Sequence, residues 1–326
     1  MHLLRYPDNL LKIEIGQQVH QLDLFEEDGR FKKEYSLTIN NSIEKVLNLN
    51  ENGLNNYTIE FPSDIESKLS MEIKNKVCRE LTGNEIRMLT SILALAQAAN
   101  NNKELFYIEK TNQAYFEFSF SELYEACGLL KEKSGKYGKR SKDYVISALL
   151  SLHRKDFLVP YNYLDSSKKV RGFAISPLIM IHGIEEWENF SDRKKTNRLK
   201  ITVSGVFFNI YEKKLSYFNL PINLNKKLRS INPGRPNAGI ELFIKCLYQA
   251  LHCAKSNKVE YSHNRIMEIM KLDRHKKNNH SQRIKPTIKK GFATALKLDI
   301  IKEYKEAKTE FGGLKYIITL NKKLKS

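Results

Sequence analysis

Apolar positions recur along the chain with two alternating spacings, helical and extended. A helical period opens after Thr82-Gly83-Asn84-Glu85, where a threonine precedes a glutamate by three residues, the spacing of a reciprocal N-terminal cap. Ile86, Leu89, Leu93 and Ala96 then share one helical face, up to Asn100-Asn101-Asn102. Two extended runs follow, Leu105 to Ile108 and Ala114 to Phe118, split by Lys110 to Gln113 and read as a hairpin. Ser119 or Ser121 is placed to cap a short helix, Glu122 to Cys127, which Gly128 stops. Beyond a basic loop, a helix is predicted from about Ser141 to Lys155, with Val145, Leu149 and Leu152 toward the core. Phe157 to Tyr163 and Gly172 to Ile175 predict a second hairpin.

The order then recurs. A helix from about Asn237 to Lys255 carries Leu242, Leu247 and Leu251. A short strand, Lys258 to Tyr261, leads to a helix over Arg265 to Met270 that Ser262 can cap. A basic linker, Lys271 to His280, precedes a helix from Pro286 to Leu298 and a hairpin of Ile300 to Tyr304 with Leu314 to Leu320, turning near Gly312-Gly313. A constant offset of 143 places Phe118 on Tyr261, Ser119 on Ser262, Leu129 on Leu272, Val145 on Ile288, Leu149 on Phe292 and Leu152 on Ala295. In the hairpins it places Phe157 on Ile300, Phe173 on Tyr316 and Ile175 on Ile318. This reads as an internal duplication. The expected fold class is α+β: two tandem winged-helix domains, each a helix-turn-helix with a β-wing. They span residues 76–215 and 216–326, with an N-terminal extension, residues 1–75, to which no role is assigned. In that extension Leu11 to Ile15 and Tyr35 to Ile39 read as strands and Asn48 to Asn56 as loop.

Charge sharpens the picture. Net charge is +18, and 31 of the 55 Lys+Arg but only 10 of the 37 Asp+Glu fall in residues 191–326. That stretch balances at +21 and the remainder at −3. A strongly basic half beside a near-neutral half is the footprint of a polyanion partner. No apolar run approaches the roughly 20 residues needed to cross a bilayer, and the start lacks a signal-peptide core, so a cytoplasmic protein without membrane contact is expected. Of the four cysteines, Cys78, Cys127, Cys246 and Cys253, none forms C-x-x-C. They read as reduced core thiols, with Cys246 and Cys253 on one buried face. His252, His275 and His280 lack metal-ligand spacing, and neither metal nor cofactor is expected. Gly135 to Ser141 is not a phosphate loop, since Lys139 is followed by Arg140. No H-E-x-x-H, G-x-S-x-G or His-hydrophobic-His is present, so a non-enzyme is expected and a nickase or primase is disfavoured.

A winged helix reads DNA with the second helix of its helix-turn-helix, which the major groove admits. In the second unit Ser281, Gln282, Arg283, Lys285, Thr287, Lys289 and Lys290 crowd the start of that helix, with Ile284, Ile288 and Phe292 as its core stripe. Arg283 is the first candidate for reading a base, because a guanidinium bonds guanine O6 and N7 together. Lys285, Lys289 and Lys290 suit phosphates. Lys305, Lys308 and Lys315 lie in the wing. The matching groups of the first unit are Lys139, Arg140, Ser141 and Lys142, with Lys168, Lys169 and Arg171 in its hairpin. This less basic unit suits weaker DNA contact or self-association.

The chain resembles the iteron-binding plasmid replication initiator (Rep) proteins with two winged helices. The pieces that carry the likeness are Leu81 to Glu85, Phe116-Glu117-Phe118 before Glu122-Leu123, Phe173 to Ile179, Tyr217 to Leu220 and, above all, Gln282 to Phe292. The likeness covers about residues 80–320. It implies double-stranded DNA as partner, bound as a monomer at tandem origin repeats, with the C-terminal helix making most base contacts. It also implies a monomer–dimer equilibrium carried largely by the first winged helix, repression of the protein's own gene, and dealings with the host initiator, helicase and chaperones. A winged-helix transcription regulator without initiation activity is the alternative.

Overall fold

The computed structural model describes residues 3–15, 81–108, 111, 113–153, 156–165, 168–188, 195–205, 217–309 and 312–325. Residues 3–15 form strand β1 (Leu3–Pro7) and helix α1 (Asp8–Ile15). The strand expected over Leu11 to Ile15 is therefore helical. Its buried positions are Leu10, Leu11, Glu14 and Ile15, a helical spacing, and five residues of alternation are too few to separate the two periods. The segments Tyr35 to Ile39 and Asn48 to Asn56 lie outside the described residues.

Helix α2 (Gly83–Asn101) starts at the predicted cap: the Glu85 N–H donates to Thr82 Oγ1, and the Thr82 N–H donates to Glu85 Oε2 at 2.7 Å. Ile86, Leu89, Leu93 and Ala96 are buried, but so are Arg87, Thr90 and Ser91, so the helix is enclosed on nearly every side rather than on one face. Strands β2 (Phe106–Ile108) and β3 (Gln113–Ser119) form the expected antiparallel pair. Ser119 caps helix α3 (Phe120–Ala126) in a second reciprocal box with Glu122, and Gly128 ends that turn with φ +71°. Helix α4 (Lys139–His153) buries Val145, Leu149 and Leu152 as expected.

After α4 the prediction and the structure part. Strands β4 (Asp156–Asp165) and β5 (Lys168–Pro177) form a two-stranded sheet of their own. Strands β6 (Ile179–Glu188) and β7 (Lys195–Ser204), which the sequence pattern did not reveal, form the next hairpin, and it is β7 that pairs with β3. The resulting sheet runs β2-β3-β7-β6.

Strand β8 (Tyr217–Pro221) pairs antiparallel with β1. Helix α5 (Leu224–Ile231) follows, then α6 (Ala238–Cys253), capped by Asn237, whose Oδ1 accepts the Ile240 N–H. Leu242, Leu247 and Leu251 are buried in α6. Strand β9 (Lys258–Ser262) leads to α7 (His263–Ile269), capped by Ser262. The basic linker holds a short helix, α8 (Asp273–Lys277). A 3-10 turn over Ser281–Arg283 runs into α9 (Ile284–Lys297), and β10 (Ile301–Lys308) and β11 (Leu314–Leu320) complete a sheet ordered β10-β11-β9. The architecture is mixed α and β, with small sheets.

The turns that follow α3 and α7 share one hydrogen-bond pattern. Helices α3 and α7 start 143 residues apart, and their ends match bond for bond. The N–H groups of Cys127, Gly128 and Leu129 donate to Leu123, Glu125 and Tyr124, and those of Met270, Lys271 and Leu272 donate to Ile266, Glu268 and Met267. Lys271 even shares the left-handed backbone of Gly128, with φ 54°. The hairpins do not keep this offset, which corrects three of the proposed equivalences, those of Phe157, Phe173 and Ile175. Tyr316 faces Tyr261 across β9–β11, as Leu199 faces Phe118 across β3–β7. Leu199, Ile201, Val203 and Ile179 thus take the places of Tyr316, Ile318, Leu320 and Ile301, and all eight are buried. The β4–β5 hairpin is a separate two-stranded sheet after α4, whereas α9 runs directly into β10. Alternation every two residues matches any strand to any other, which is why the sequence offset ran on into it.

Residues 3–15 are built into the core beside the second half. Tyr6 and Glu14 meet Lys245 of α6 in a closed triad: Lys245 Nζ donates to Glu14 Oε1 and Oε2 at 2.6 and 2.7 Å and to Tyr6 Oη at 2.7 Å, while the Tyr6 hydroxyl donates to Glu14 at 2.6 Å. Burial pushes the Glu14 carboxyl up and the Lys245 ammonium down, each against the pull of the other. Asn225 of α5 donates to Arg87 O, Ser91 Oγ and Ala126 O, joining α5 to α2 and α3.

Candidate nucleic-acid interface

Helix α9 is held by one side and open on the other. Ile284, Ile288, Phe292 and Ala295 are buried, and Phe292 stacks on Tyr304 of β10 with ring centroids 3.9 Å apart and planes 8° from parallel. Gln282, Arg283, Lys285, Lys289 and Lys290 are exposed, as is Ser281 in the turn before the helix. Gln282, Lys285 and Lys289 follow one another at three- and four-residue spacing and so line one ridge. Thr287 is half-buried and its hydroxyl donates to Arg283 O at 2.7 Å, so it stiffens the first turn. Among the described residues, Arg283, Lys285, Lys289 and Lys290 enter no ion pair. Four cations without an ion pair among the described residues, on one exposed helix start, form a concentrated positive field, which favours a polyanion.

The lysines of the β10–β11 hairpin contribute unequally. Lys308 is exposed on β10. Lys305 is exposed but 3.8 Å from Glu303, and Lys315 is half-buried with its ammonium 2.7 Å from Glu260 on the neighbouring strand. Lys315 therefore offers less free charge than its place in the sequence suggests.

In the first half Lys139 and Arg140 are exposed at the start of α4, and Ser141 and Lys142 are half-buried. Arg140 lies over the Tyr144 ring at 5.7 Å and its Nε donates to Tyr144 Oη at 3.0 Å, which fixes the guanidinium along the helix. Lys168, Lys169 and Arg171 sit on β5, paired with Asp165, Leu164 and Asn162. That places them on the separate β4–β5 sheet and not on the β6–β7 hairpin that joins β3.

Several residues escaped the sequence reading. Arg87 and Glu241 form a buried ion pair between α2 and α6, and Arg229 and Arg235 lie beside it with Arg140 around a cavity. Arg87, Glu241 and Lys245 are charged residues inside apolar helical runs, and that was the available signal. The thiols also differ from expectation: Cys127 and Cys246 are buried, but Cys253 is exposed, because it is the last residue of α6, where the helix leaves the core. Burial pushes the Cys127 thiol up to about 11, which removes it as a nucleophile. Among the described residues no cluster of His, Cys, Asp or Glu is arranged to hold a metal, and no helix is long and apolar enough to cross a membrane. No protein-family model matches the chain, and no curated protein matches it either.

Proposed function

We propose that this chain is a sequence-specific double-stranded DNA-binding protein of the plasmid replication initiator kind, acting without a catalytic centre. The observation that carries this reading is the exposed start of α9, where Arg283, Lys285, Lys289 and Lys290 stand without ion-pair partners among the described residues. The order α7, α9, β10–β11 supports treating the second half as a winged helix, with α9 in the major groove and the hairpin as wing. The matching turn after α3 and the matching sheet order β3-β7-β6 support a duplicated first half, with α4 as a second, weaker reader. Two such helices in successive major grooves cover roughly 20 bp. By resemblance, tandem origin repeats are the target, in a cytoplasmic setting. Self-association, control of the protein's own gene and contacts with the host initiator, helicase and chaperones belong to the same reading.

Footprinting on the DNA flanking the gene, at two salt concentrations, tests it. Tandem protected repeats spaced about 20 bp apart are the expected result. Protection confined to one inverted repeat would make the protein a regulator without initiation activity. Diffuse protection that vanishes at moderate salt would refute sequence-specific binding.

A further inference from the structure

A cavity of about 340 Å³ lies where α2, α4 and α5 meet the loop before α6, and four arginines line it: Arg87, Arg140, Arg229 and Arg235. Among the described residues no Asp or Glu lines it. Glu241 sits behind Arg87 and takes Nε and Nη2 of that guanidinium, at 2.9 and 2.7 Å. The opposite nitrogen, Arg87 Nη1, is buried and has no hydrogen-bond partner among the described residues, although the side chain is only 5% exposed. A buried donor left without a partner is costly, and native structures rarely tolerate one without a ligand, ion or water. Arg229 is held below its usual range by burial and by the like charge of Arg87, a repulsion that an anion between them would relieve.

The wall is built rather than accidental. Gly234 has φ +97°, and Pro236 packs its carbonyl against Gly83 at the start of α2, where a side chain would collide. Arg235 is carried between these two anchors. Arg140 is held along α4 by Tyr144, whose ring also lines the cavity. Two arginines come from the first half and two from the second, so an anion here would bridge them. The volume lies near the lower end of the range of about 300–1,000 Å³ for small-ligand sites.

We propose that this cavity is a binding site for a phosphate group, held by Arg140, Arg229 and Arg235, with the charge of the buried Arg87 guanidinium behind them. The phosphate is either free or part of a small phosphorylated molecule, or it belongs to a DNA backbone lying across the start of α4. The first source stands apart from the DNA-binding reading, and the second rests on it.

The test uses the full chain and inorganic phosphate against chloride at matched ionic strength. A free-phosphate site predicts a dose-dependent rise in the melting midpoint. The rise should be lost in Arg235→Gln and Arg229→Gln and kept in Lys258→Gln, a change of an exposed lysine on β9. Arg235 is exposed on its loop, so its variant reports on the site even where Arg229→Gln fails to fold. If phosphate produces no shift, the same variants are titrated with a random-sequence 20-bp duplex across salt concentrations. A salt slope reduced by about one in Arg235→Gln, and not in Lys258→Gln, assigns the site to a backbone phosphate. No shift and no change of slope overturns the proposal, as does a shift lost equally in Lys258→Gln.

Discussion

Arg87 meets Glu241 edge-on, with Nε and Nη2 both donating to Oε1, in a pair that ties α2 of the first half to α6 of the second. Both side chains are about 95% removed from solvent, at 5% and 4% exposure. Breaking such a pair strands a charge. Glu241→Gln should therefore cost about 3–5 kcal/mol, read as a lowered urea midpoint. Replacing both with apolar residues, as in Arg87→Met with Glu241→Met, should recover most of the loss, because desolvation of two charges then disappears from the balance.

The triad of Tyr6, Glu14 and Lys245 predicts a pH signature. In Lys245→Met the Glu14 carboxyl keeps the burial that raises it and loses the ammonium that lowers it. Its folded value then stands still further above the unfolded 4.5. The stability it contributes is present in full below that unfolded value and is lost as pH rises through the folded one. The gap between wild type and variant in urea unfolding should accordingly be wider at about pH 8 than at about pH 5. A gap independent of pH would mean that Glu14 does not feel Lys245.

Gly128 is tested by Gly128→Ala. Its φ of +71° lies in the left-handed region, and an added Cβ would stand 2.7 Å from the Asn225 carbonyl carbon and the Lys226 nitrogen. Left-handed backbone alone costs an alanine about 1–2 kcal/mol, and the clash adds to it. Thermal unfolding should show a loss above about 2 kcal/mol. Lys271→Gly, at the matching place in the second half, removes a left-handed strain and should be neutral or stabilising.

On DNA, Lys289→Ala should weaken binding to every sequence and flatten the salt slope by about one. Arg283→Ala should cost about 1–3 kcal/mol on the cognate site and relax preference at one base pair. Competition binding against single-base variants separates the two roles. Unchanged affinity in both would remove α9 as the reading element.

Thiol labelling of native protein separates the cysteines. Cys253 is exposed and should react quickly, and Cys253→Ser should remove one fast equivalent. Cys127 and Cys246 are buried with thiols pushed up to about 11 and about 12, and should react only as the chain unfolds.

Local chemistry was the legible part of this fold. The caps at Thr82, Ser119 and Ser262 were readable because a cap is decided within four residues. The stripes Val145, Leu149, Leu152 and Ile284, Ile288, Phe292 were readable because helical spacing is distinctive over about two turns. The exposed cations of α9 followed from those stripes. What failed was non-local. Strand β1 finds β8 more than two hundred residues away, and no pattern within either strand names the partner. Strands β6 and β7 were passed over because β4–β5 offered a nearer hairpin with the same alternation. Helix α5 was missed although Leu224 and Leu228 keep helical spacing, because its asparagine and lysine content resembles a loop. The arginine cavity draws its four residues from four separate segments, and a linear reading has no means of gathering them.

Strand β1 and helix α1 also bear on how the protein is made. They are synthesised before β8 and α6, the elements that cover them. At about 5–20 residues per second, Tyr6 and Glu14 wait roughly 10–50 s on the ribosome before Lys245 exists. The second half therefore cannot complete its core as an independent late module during translation. An affinity tag or fusion joined directly at Leu3 would act on the last stage of folding, not the first.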